Sequence, residues 1–126
     1  MKQHLLIFAT VFLCLTISAS AQVKSKQIFT YVEQMPEFTG NMNDYLVSNL
    51  KYPKEAKAAK KEGRVVVRFV VDEMGKVQDA QVVRSVDAHL DAEAKRVITA
   101  MPNWKPAKQA GKTVPVYFTL PIEFRL

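Results

Sequence analysis

Residues 113–126, the last stretch of the sequence, read TVPVYFTLPIEFRL. From Val114 to Phe124 every even position is apolar, whereas the odd positions carry two prolines, a tyrosine, a threonine and a glutamate. An apolar side chain at every second residue is typical of a β-strand with one buried face. We therefore predict that this stretch forms the closing strand of a sheet.

Pro115 and Pro121 indicate where in the sheet this strand lies. Successive strand residues point their N–H groups to alternate sides, so two odd-numbered prolines lack their donors on the same lateral edge. Proline is tolerated in a sheet mainly where that edge faces solvent. We predict an edge strand whose free side offers the backbone of Tyr117 and Thr119. Such an edge either stays blunted or receives a strand from a partner.

The start of the chain, MKQHLLIFATVFLCLTISASAQ, has the layout of a secretory signal peptide. Lys2 precedes an apolar run at 5–17, and Ala19 and Ala21 have the spacing of a cleavage site. A helix needs about 18 to 20 apolar residues to cross a bilayer, and this run is shorter. We therefore predict that the segment is a signal peptide cleaved after Ala21. The alternative is a retained anchor in the inner membrane.

Three regions are predicted along the chain: a signal peptide at 1–21, an N-terminal extension at 22–40 and a domain at 41–126. The extension contains IFTYV at 28–32, which has strand composition. The only cysteine of the 126 residues lies in the signal peptide, so disulfides are not expected in the mature protein. The mature chain is long enough for one hydrophobic core and too short for two.

Two helices are predicted at the beginning of the domain. Asn41 has the character of an N-cap and precedes apolar residues at helical spacing, which predicts a short amphipathic helix. A second helix is predicted to begin at Pro53, where the missing N–H is tolerated, and to stop at Gly63. Its lysines form a stripe that is either solvated or contacts an acidic partner or lipid headgroups, and they are Lys51, Lys54, Lys57, Lys60 and Lys61.

The middle of the chain predicts a β-hairpin. Residues 64–72 are rich in β-branched side chains, Gly75 lies in the turn, and 77–84 returns as the second strand. A helix with an apolar stripe follows at 87–101, and Trp104 is predicted to cover the core. This order predicts an α+β fold, a small antiparallel three-stranded sheet with two main helices packed on one face.

The sequence predicts no catalytic, cofactor or metal site. His89, the only histidine after the signal peptide, is interpreted as a surface residue. The sequence contains no metal-binding cluster and no glycine-rich phosphate loop. It also has no serine in a nucleophile motif. The net charge is +6, but the basic residues lack the interleaved aromatics of a nucleic-acid interface. We therefore expect a binding module and not an enzyme.

Several motifs together resemble one known family. Their order and spacing are similar to those of the C-terminal domain of TonB, the energy transducer that spans the periplasm of Gram-negative bacteria. The matching motifs are Tyr52-Pro53, the helix stop at Gly63, the apolar hairpin with its glycine turn, Leu90-Asp91 and Trp104-Lys105-Pro106. The resemblance covers 50–126, and MPEF and YLVSNLKYP are similar to the version found in Bacteroidetes.

In that family the domain binds the TonB box, a short segment of outer-membrane transporters that adds as a strand to the edge of the last strand. The resemblance therefore implies TonB-dependent outer-membrane transporters as partners. It also implies two groups of peptide-binding residues, which are Val116, Tyr117, Phe118 and Thr119 on the edge strand and Asn49, Tyr52 and Pro53 at the Tyr-Pro corner. Asn49 stands where many members have glutamine.

The chain departs from a full transducer in its N-terminal part. A transducer retains a transmembrane helix that meets a proton-driven motor and has a long proline-rich spacer, whereas 22–40 contains a single proline. We expect a periplasmic domain exported by a cleaved signal peptide. One alternative is a minimal transducer, anchored by 5–17 and in contact with the inner-membrane motor. Another is a structural or assembly module whose edge strand forms a homodimer or docks another partner.

Overall fold

A computed structural model describes residues 27–126. The helices in this part of the chain are α1 (Met42–Asn49), α2 (Lys54–Ala58) and α3 (Ala88–Thr99). The strands are β1 (Gly63–Val71), β2 (Val77–Arg84), β3 (Ala107–Gln109), β4 (Lys112–Val114) and β5 (Val116–Phe124). The predicted signal peptide, and the anchor that is its alternative, lie outside the described residues.

The main sheet is antiparallel, with strand order β2-β1-β5, so the closing strand lies at its edge as predicted. β1 lies in the centre and pairs with β5 from Gly63 opposite Phe124 to Val71 opposite Val116. β3 and β4 form a separate two-stranded hairpin. The predicted α+β fold with a three-stranded antiparallel sheet is confirmed.

One face of the main sheet carries the hydrophobic core. Alternate residues of β1 and β5 are buried there, and the apolar stripe of α3 packs against them. Ala56 of α2 belongs to the same cluster, and Leu46 of α1 and Leu50, the C-cap residue of α1, pack against it. The helices therefore cover the same face of the sheet. Burial stabilises the fold by about 1.5–3 kcal/mol for each of the largest side chains, Phe69, Phe124, Leu90, Ile98 and Ile122.

The segment before α1 is attached to this domain. Val32 is 2% exposed and belongs to the core. Gln34 and Lys108 exchange two backbone hydrogen bonds of 3.1 and 2.9 Å, and Glu37 and Lys105 exchange two of 3.0 and 2.8 Å. The N-terminal extension thus packs along β3 and does not behave as a separate linker over these residues.

α2 is shorter than the helix predicted from the sequence. It ends because Lys60 adopts a left-handed backbone conformation (φ 53°) and the Lys61 N–H donates to the Ala56 carbonyl at 2.8 Å. This is a Schellman ending, in which glycine usually occupies the left-handed position. Pro53 lies at the N-cap and Gly63 begins β1, so the prediction of a helix that stops at Gly63 was wrong.

Pro115 divides the closing stretch into two strands of different sheets. β4 before it pairs with β3, whereas β5 after it pairs with β1. The prediction of one continuous strand was wrong here, because the buried Pro115 has no N–H with which to continue a ladder. The alternation within β5 is confirmed, since the buried or partly buried positions are Val116, Phe118, Leu120, Ile122 and Phe124.

The turn of the β1-β2 hairpin is fixed against the core tryptophan. Gly75 has a φ of 82°, and its carbonyl accepts the Trp104 N–H at 2.6 Å. A Cβ on Gly75 would lie 1.8 Å from the Trp104 carbonyl oxygen, so the turn requires glycine. Trp104 is 3% exposed and packs on the rings of Phe69 and Phe118, which confirms that it covers the core.

Candidate functional site

Part of the outward edge of β5 is paired with the chain's own N-terminal segment. The Phe29 N–H donates to the Pro115 carbonyl at 3.0 Å, and the Tyr117 N–H donates to the Phe29 carbonyl at 2.8 Å. These bonds form a single parallel bridge, although 28–32 has strand composition. The Tyr117 N–H is therefore not free, and the prediction of a free donor was wrong at this residue.

The same bond fixes the orientation of the rest of β5. Because the Tyr117 N–H points away from β1, the N–H and C=O groups of Thr119 and Glu123 point the same way. Pro121 lies between them and offers only its carbonyl. No described residue donates to or accepts from these outward groups. The open part of the edge therefore runs from Thr119 to Glu123 and is interrupted at the donor position of Pro121.

Two of the predicted peptide contacts face away from this open edge. Val116 is fully buried and pairs with Val71 of β1, and Phe118 pairs with Phe69. Both are even-numbered, so their backbone groups point toward β1 and are not available to a partner. Thr119 is exposed and lies on the open edge, and its role as a peptide contact stays a prediction.

The Tyr-Pro corner lies at the far end of the same strand. The ring of Tyr52 packs edge-to-face on Phe124, with ring centroids 5.7 Å apart, and its O–H donates to the Lys61 carbonyl. Pro53 is the N-cap of α2. At about 3.3 Å per residue, β5 covers about 23 Å from Tyr117 to Phe124. The two predicted groups of site residues therefore lie at opposite ends of one edge and do not form a single cluster.

An open groove of about 360 Å³ separates α1 from the last third of β5. On the wall formed by α1 and its C-cap, Leu46 and Leu50 are partly buried, whereas Val47 is 83% exposed. Unpaired backbone groups and apolar side chains thus lie side by side. The complete lining is Asn43, Leu46, Val47, Leu50, Pro121, Ile122 and Glu123. Of these residues the sequence pointed to Pro121 as an edge position, and its only signal for the residues of the helical wall was the apolar spacing that predicted α1.

A buried carboxylate joins the corner to α3. Glu93 is 9% exposed, and it accepts the Lys51 N–H at 3.0 Å and the Arg96 Nε at 2.8 Å. Burial alone would raise the pKa of the Glu93 carboxyl, but Arg96 and the Lys51 N–H hold it below its usual range. Arg96 also donates to the Asn49 carbonyl at 2.9 Å, and the Asn49 amide donates to the Tyr45 carbonyl at 2.8 Å. Asn49 therefore closes α1, and its contact with a peptide stays a prediction.

Charged side chains flank both ends of the β5 edge. Glu123 accepts the Arg64 Nε at 3.1 Å, and its other oxygen lies 3.5 Å from the Arg125 Nε. The Arg64 guanidinium, with a smaller contribution from Arg125, lowers the pKa of Glu123 below its usual range. At the other end, the Arg68 guanidinium lies 4.7 Å from the centre of the Tyr117 ring. Both ends of the edge thus carry a basic side chain, Arg64 beside Glu123 and Arg68 beside Tyr117.

The opposite edge of the main sheet is less suited to receive a strand. The pairing of β2 with β1 is irregular between Val66 and Val67 and again between Arg68 and Val70. At the second irregularity Asp79 has a φ of 52°. Bulges twist an edge and interrupt its row of backbone donors and acceptors. Of the two edges, β5 is therefore the better candidate.

The described part of the chain shows neither a metal site nor a candidate membrane span. Within residues 27–126, no group of three His, Cys, Asp or Glu side chains is placed to hold a metal ion. His89 is exposed, and its described hydrogen bond is the backbone N–H donated to the N-cap Asp87 of α3. None of the described helices is long and apolar enough to cross a membrane.

Known proteins resemble the chain from the Tyr-Pro corner onward. Residues 48–126 match the family described as Gram-negative bacterial TonB protein C-terminal. A solution structure of the Helicobacter pylori TonB C-terminal domain is 25% identical, covers 67% of this chain and 76% of its own, and has a TM-score of 0.50. No curated protein sequence matches the chain.

Two further solution structures are similar. A shorter form of the Helicobacter pylori domain is 26% identical and covers 66% of this chain and 87% of its own, with a TM-score of 0.49. The Pseudomonas aeruginosa TonB C-terminal domain is 31% identical and covers 60% of this chain and 77% of its own, also with a TM-score of 0.49.

Proposed function

The chain belongs to the TonB C-terminal domain family, whose members take part in TonB-dependent transport, and on that premise we propose that it binds TonB-box segments of outer-membrane transporters by strand addition. The family is transport-associated and not enzymatic. The observation that carries the proposal is the run of unpaired backbone groups from Thr119 to Glu123, at the edge of the last strand.

Strand addition would satisfy these groups without rearranging the sheet. Each backbone hydrogen bond contributes about 0.5–1.5 kcal/mol net, so a few of them supply much of a moderate affinity. Pro121 donates no hydrogen bond, so the partner residue that faces it needs no acceptor there. The position of Pro121 between Thr119 and Glu123 therefore helps to set the register of the incoming strand.

We place this binding in the periplasm, where the family works. In this proposal residues 1–21 are a signal peptide that is removed on export, 22–40 are an N-terminal extension, and 41–126 form the binding domain. Because 28–39 include residues that pair with the domain, the folded unit extends into the extension. A retained N-terminal anchor would instead bring the domain to the inner-membrane motor.

An NMR titration of the protein tests the proposal. The probes are TonB-box peptides from the outer-membrane transporters of the same organism. Strand addition predicts amide shifts concentrated at Thr119 and Glu123, with little change at Val83 on the opposite edge. If no such peptide causes shifts at concentrations where the domain of a full transducer binds, the proposal fails.

The open part of the β5 edge also permits a second candidate function. An unpaired strand edge can pair with the same edge of another copy, so the groups from Thr119 to Glu123 could serve a structural or assembly role as the contact between two copies. Sedimentation over a range of protein concentrations distinguishes the two candidates. A tight dimer in which the Thr119 amide is protected supports the second one.

A further inference from the structure

We propose that α1 is a specificity element of this edge: the groove between α1 and β5 receives an apolar side chain of the incoming strand, at the position opposite Ile122. This inference rests on the proposed strand addition and deepens it by stating what the partner must contain. The occupant is an extended segment of another protein that has a β-branched, aliphatic or aromatic residue at this position.

The position follows from the geometry of a sheet. Ile122 is 1% exposed and directs its side chain to the core face. Side chains that lie directly opposite each other on neighbouring strands share a face, with Cβ atoms about 4.5–5.5 Å apart. A partner residue opposite Ile122 therefore points to the core face as well. On that side of the edge its neighbours are Leu46, Val47 and Leu50, which line the groove.

The apolar face of α1 is incompletely covered in the free protein. None of its eight residues is buried, and Val47 is 83% exposed. Leu46 and Leu50 pack against the core but remain partly accessible. An added side chain in the groove would remove this apolar surface from water, which favours binding. The face thus has unburied apolar area where a partner strand would place a side chain.

Polar contacts hold α1 in position, so the groove exists before a partner arrives. The Tyr45 O–H donates to the Val97 carbonyl at 2.7 Å. At the end of the helix, the Arg96 guanidinium, which is itself paired with Glu93, donates to the Asn49 carbonyl at 2.9 Å. A preformed groove does not have to be ordered on binding, which lowers the entropic cost of recognition.

The apolar lining of the groove narrows the class of partner. Glu123 directs its side chain to the face of the sheet opposite that of Ile122, where Arg64 neutralises it. A charged residue at the groove position would lose hydration among Leu46, Val47 and Leu50, whereas an apolar residue gains contacts. At the start of β5 the edge is already paired with Phe29. A partner strand that leaves this bridge in place can therefore pair only from Thr119 onward.

The test compares two substitutions on the same helix. Val47→Gln replaces an exposed apolar side chain that lines the groove, and Ser48→Gln introduces the same residue at an exposed position that does not line it. The probe is a TonB-box peptide, together with a series in which each of its apolar residues is replaced in turn by serine. Binding is followed by NMR on the amides of Thr119 and Val47.

The inference predicts that Val47→Gln weakens binding about five- to tenfold, whereas Ser48→Gln binds like the unsubstituted protein. It also predicts that one residue of the peptide occupies the groove. Replacing that residue by serine should weaken binding to the unsubstituted protein, but should weaken binding to Val47→Gln little further. If peptides shift Thr119 and both variants bind equally well, the inference is overturned while strand addition stands.

Two other results would also overturn it. If no peptide shifts Thr119, strand addition fails and the inference fails with it. If the Val47 amide shifts with rising protein concentration and no peptide, the groove is occupied by a second copy of the chain and not by a partner segment.

Discussion

The backbone N–H of Tyr117 donates to the carbonyl of Phe29 at 2.8 Å, so the chain's own N-terminal segment pairs with the first part of the edge that faces solvent. The remaining part, from Thr119 to Glu123, has no described partner. A partner strand that extends past Thr119 toward Tyr117 must therefore displace Phe29. A shorter strand can pair with the open part while the bridge stays in place.

Hydrogen exchange should reveal this division of the edge. In the unsubstituted protein the Tyr117 amide is expected to exchange more slowly than the Thr119 amide, because only the former has a hydrogen-bond partner. Phe29→Gly removes a partly buried ring and should accelerate exchange at Tyr117 at least about tenfold. Thr30→Gly, at an exposed neighbour, should leave Tyr117 protected. Equal, fast exchange at both amides of the unsubstituted protein would contradict the bridge.

The hairpin turn allows a matched comparison of two glycines. Gly75 and Gly111 both have positive φ, 82° and 76°, but a Cβ on Gly75 meets the Trp104 carbonyl whereas one on Gly111 meets nothing within 4 Å. Gly111→Ala should lower the free energy of unfolding by about 1 kcal/mol, the cost of the left-handed backbone. Gly75→Ala should lower it by more than about 3 kcal/mol, because the turn must also move. Urea unfolding followed by Trp104 fluorescence measures both, and equal losses would contradict the contact.

The features predicted correctly from the sequence depend on local backbone geometry. The alternation in β5 and the phase of Pro115 and Pro121 placed the last strand at an edge, because side-chain and N–H directions both repeat every two residues. Gly75 marked the hairpin turn for the same kind of reason, since a left-handed position favours glycine.

The features that were missed depend on contacts between distant parts of the chain or on an unusual local conformation. The Phe29 bridge pairs residues far apart in the sequence, and one bridge has no periodicity to detect. α2 ends at a left-handed Lys60, where sequence statistics favour glycine. The groove exists because Glu93 and Arg96 hold the end of α1 beside β5, and nothing in the α1 segment itself indicates that contact.

The Glu93 network should contribute measurably to stability. Glu93→Gln removes the charge that pairs with Arg96 and weakens the acceptor for the Lys51 N–H, which should lower the free energy of unfolding by about 2 kcal/mol. Glu55→Gln, on the exposed side of α2, should change it by less than about 0.5 kcal/mol. Urea unfolding at pH 7 measures both variants. Similar values for the two would show that the network is energetically unimportant.

The same network predicts a pH dependence. The folded-state pKa of Glu93 is lowered, so its carboxylate stabilises the fold fully above the pKa of an unfolded glutamate, about 4.3. The contribution should decline as the pH falls below that value and through the lowered pKa. Unfolding curves of the unsubstituted protein and of Glu93→Gln should therefore converge in acid. A difference between them that stays constant from pH 7 to pH 3 would contradict this assignment.

The measurement that tests strand addition most directly is the affinity of Thr119→Pro and Thr119→Val for a TonB-box peptide. The Thr119 N–H points away from β1, so proline should leave the β1-β5 ladder intact, which an unchanged urea unfolding curve would verify. Proline removes a donor that the peptide needs, whereas valine keeps it. We predict that Thr119→Pro weakens binding by about tenfold or more and that Thr119→Val binds within about twofold of the unsubstituted protein. Equal affinities of a correctly folded Thr119→Pro and Thr119→Val would contradict strand addition at this edge.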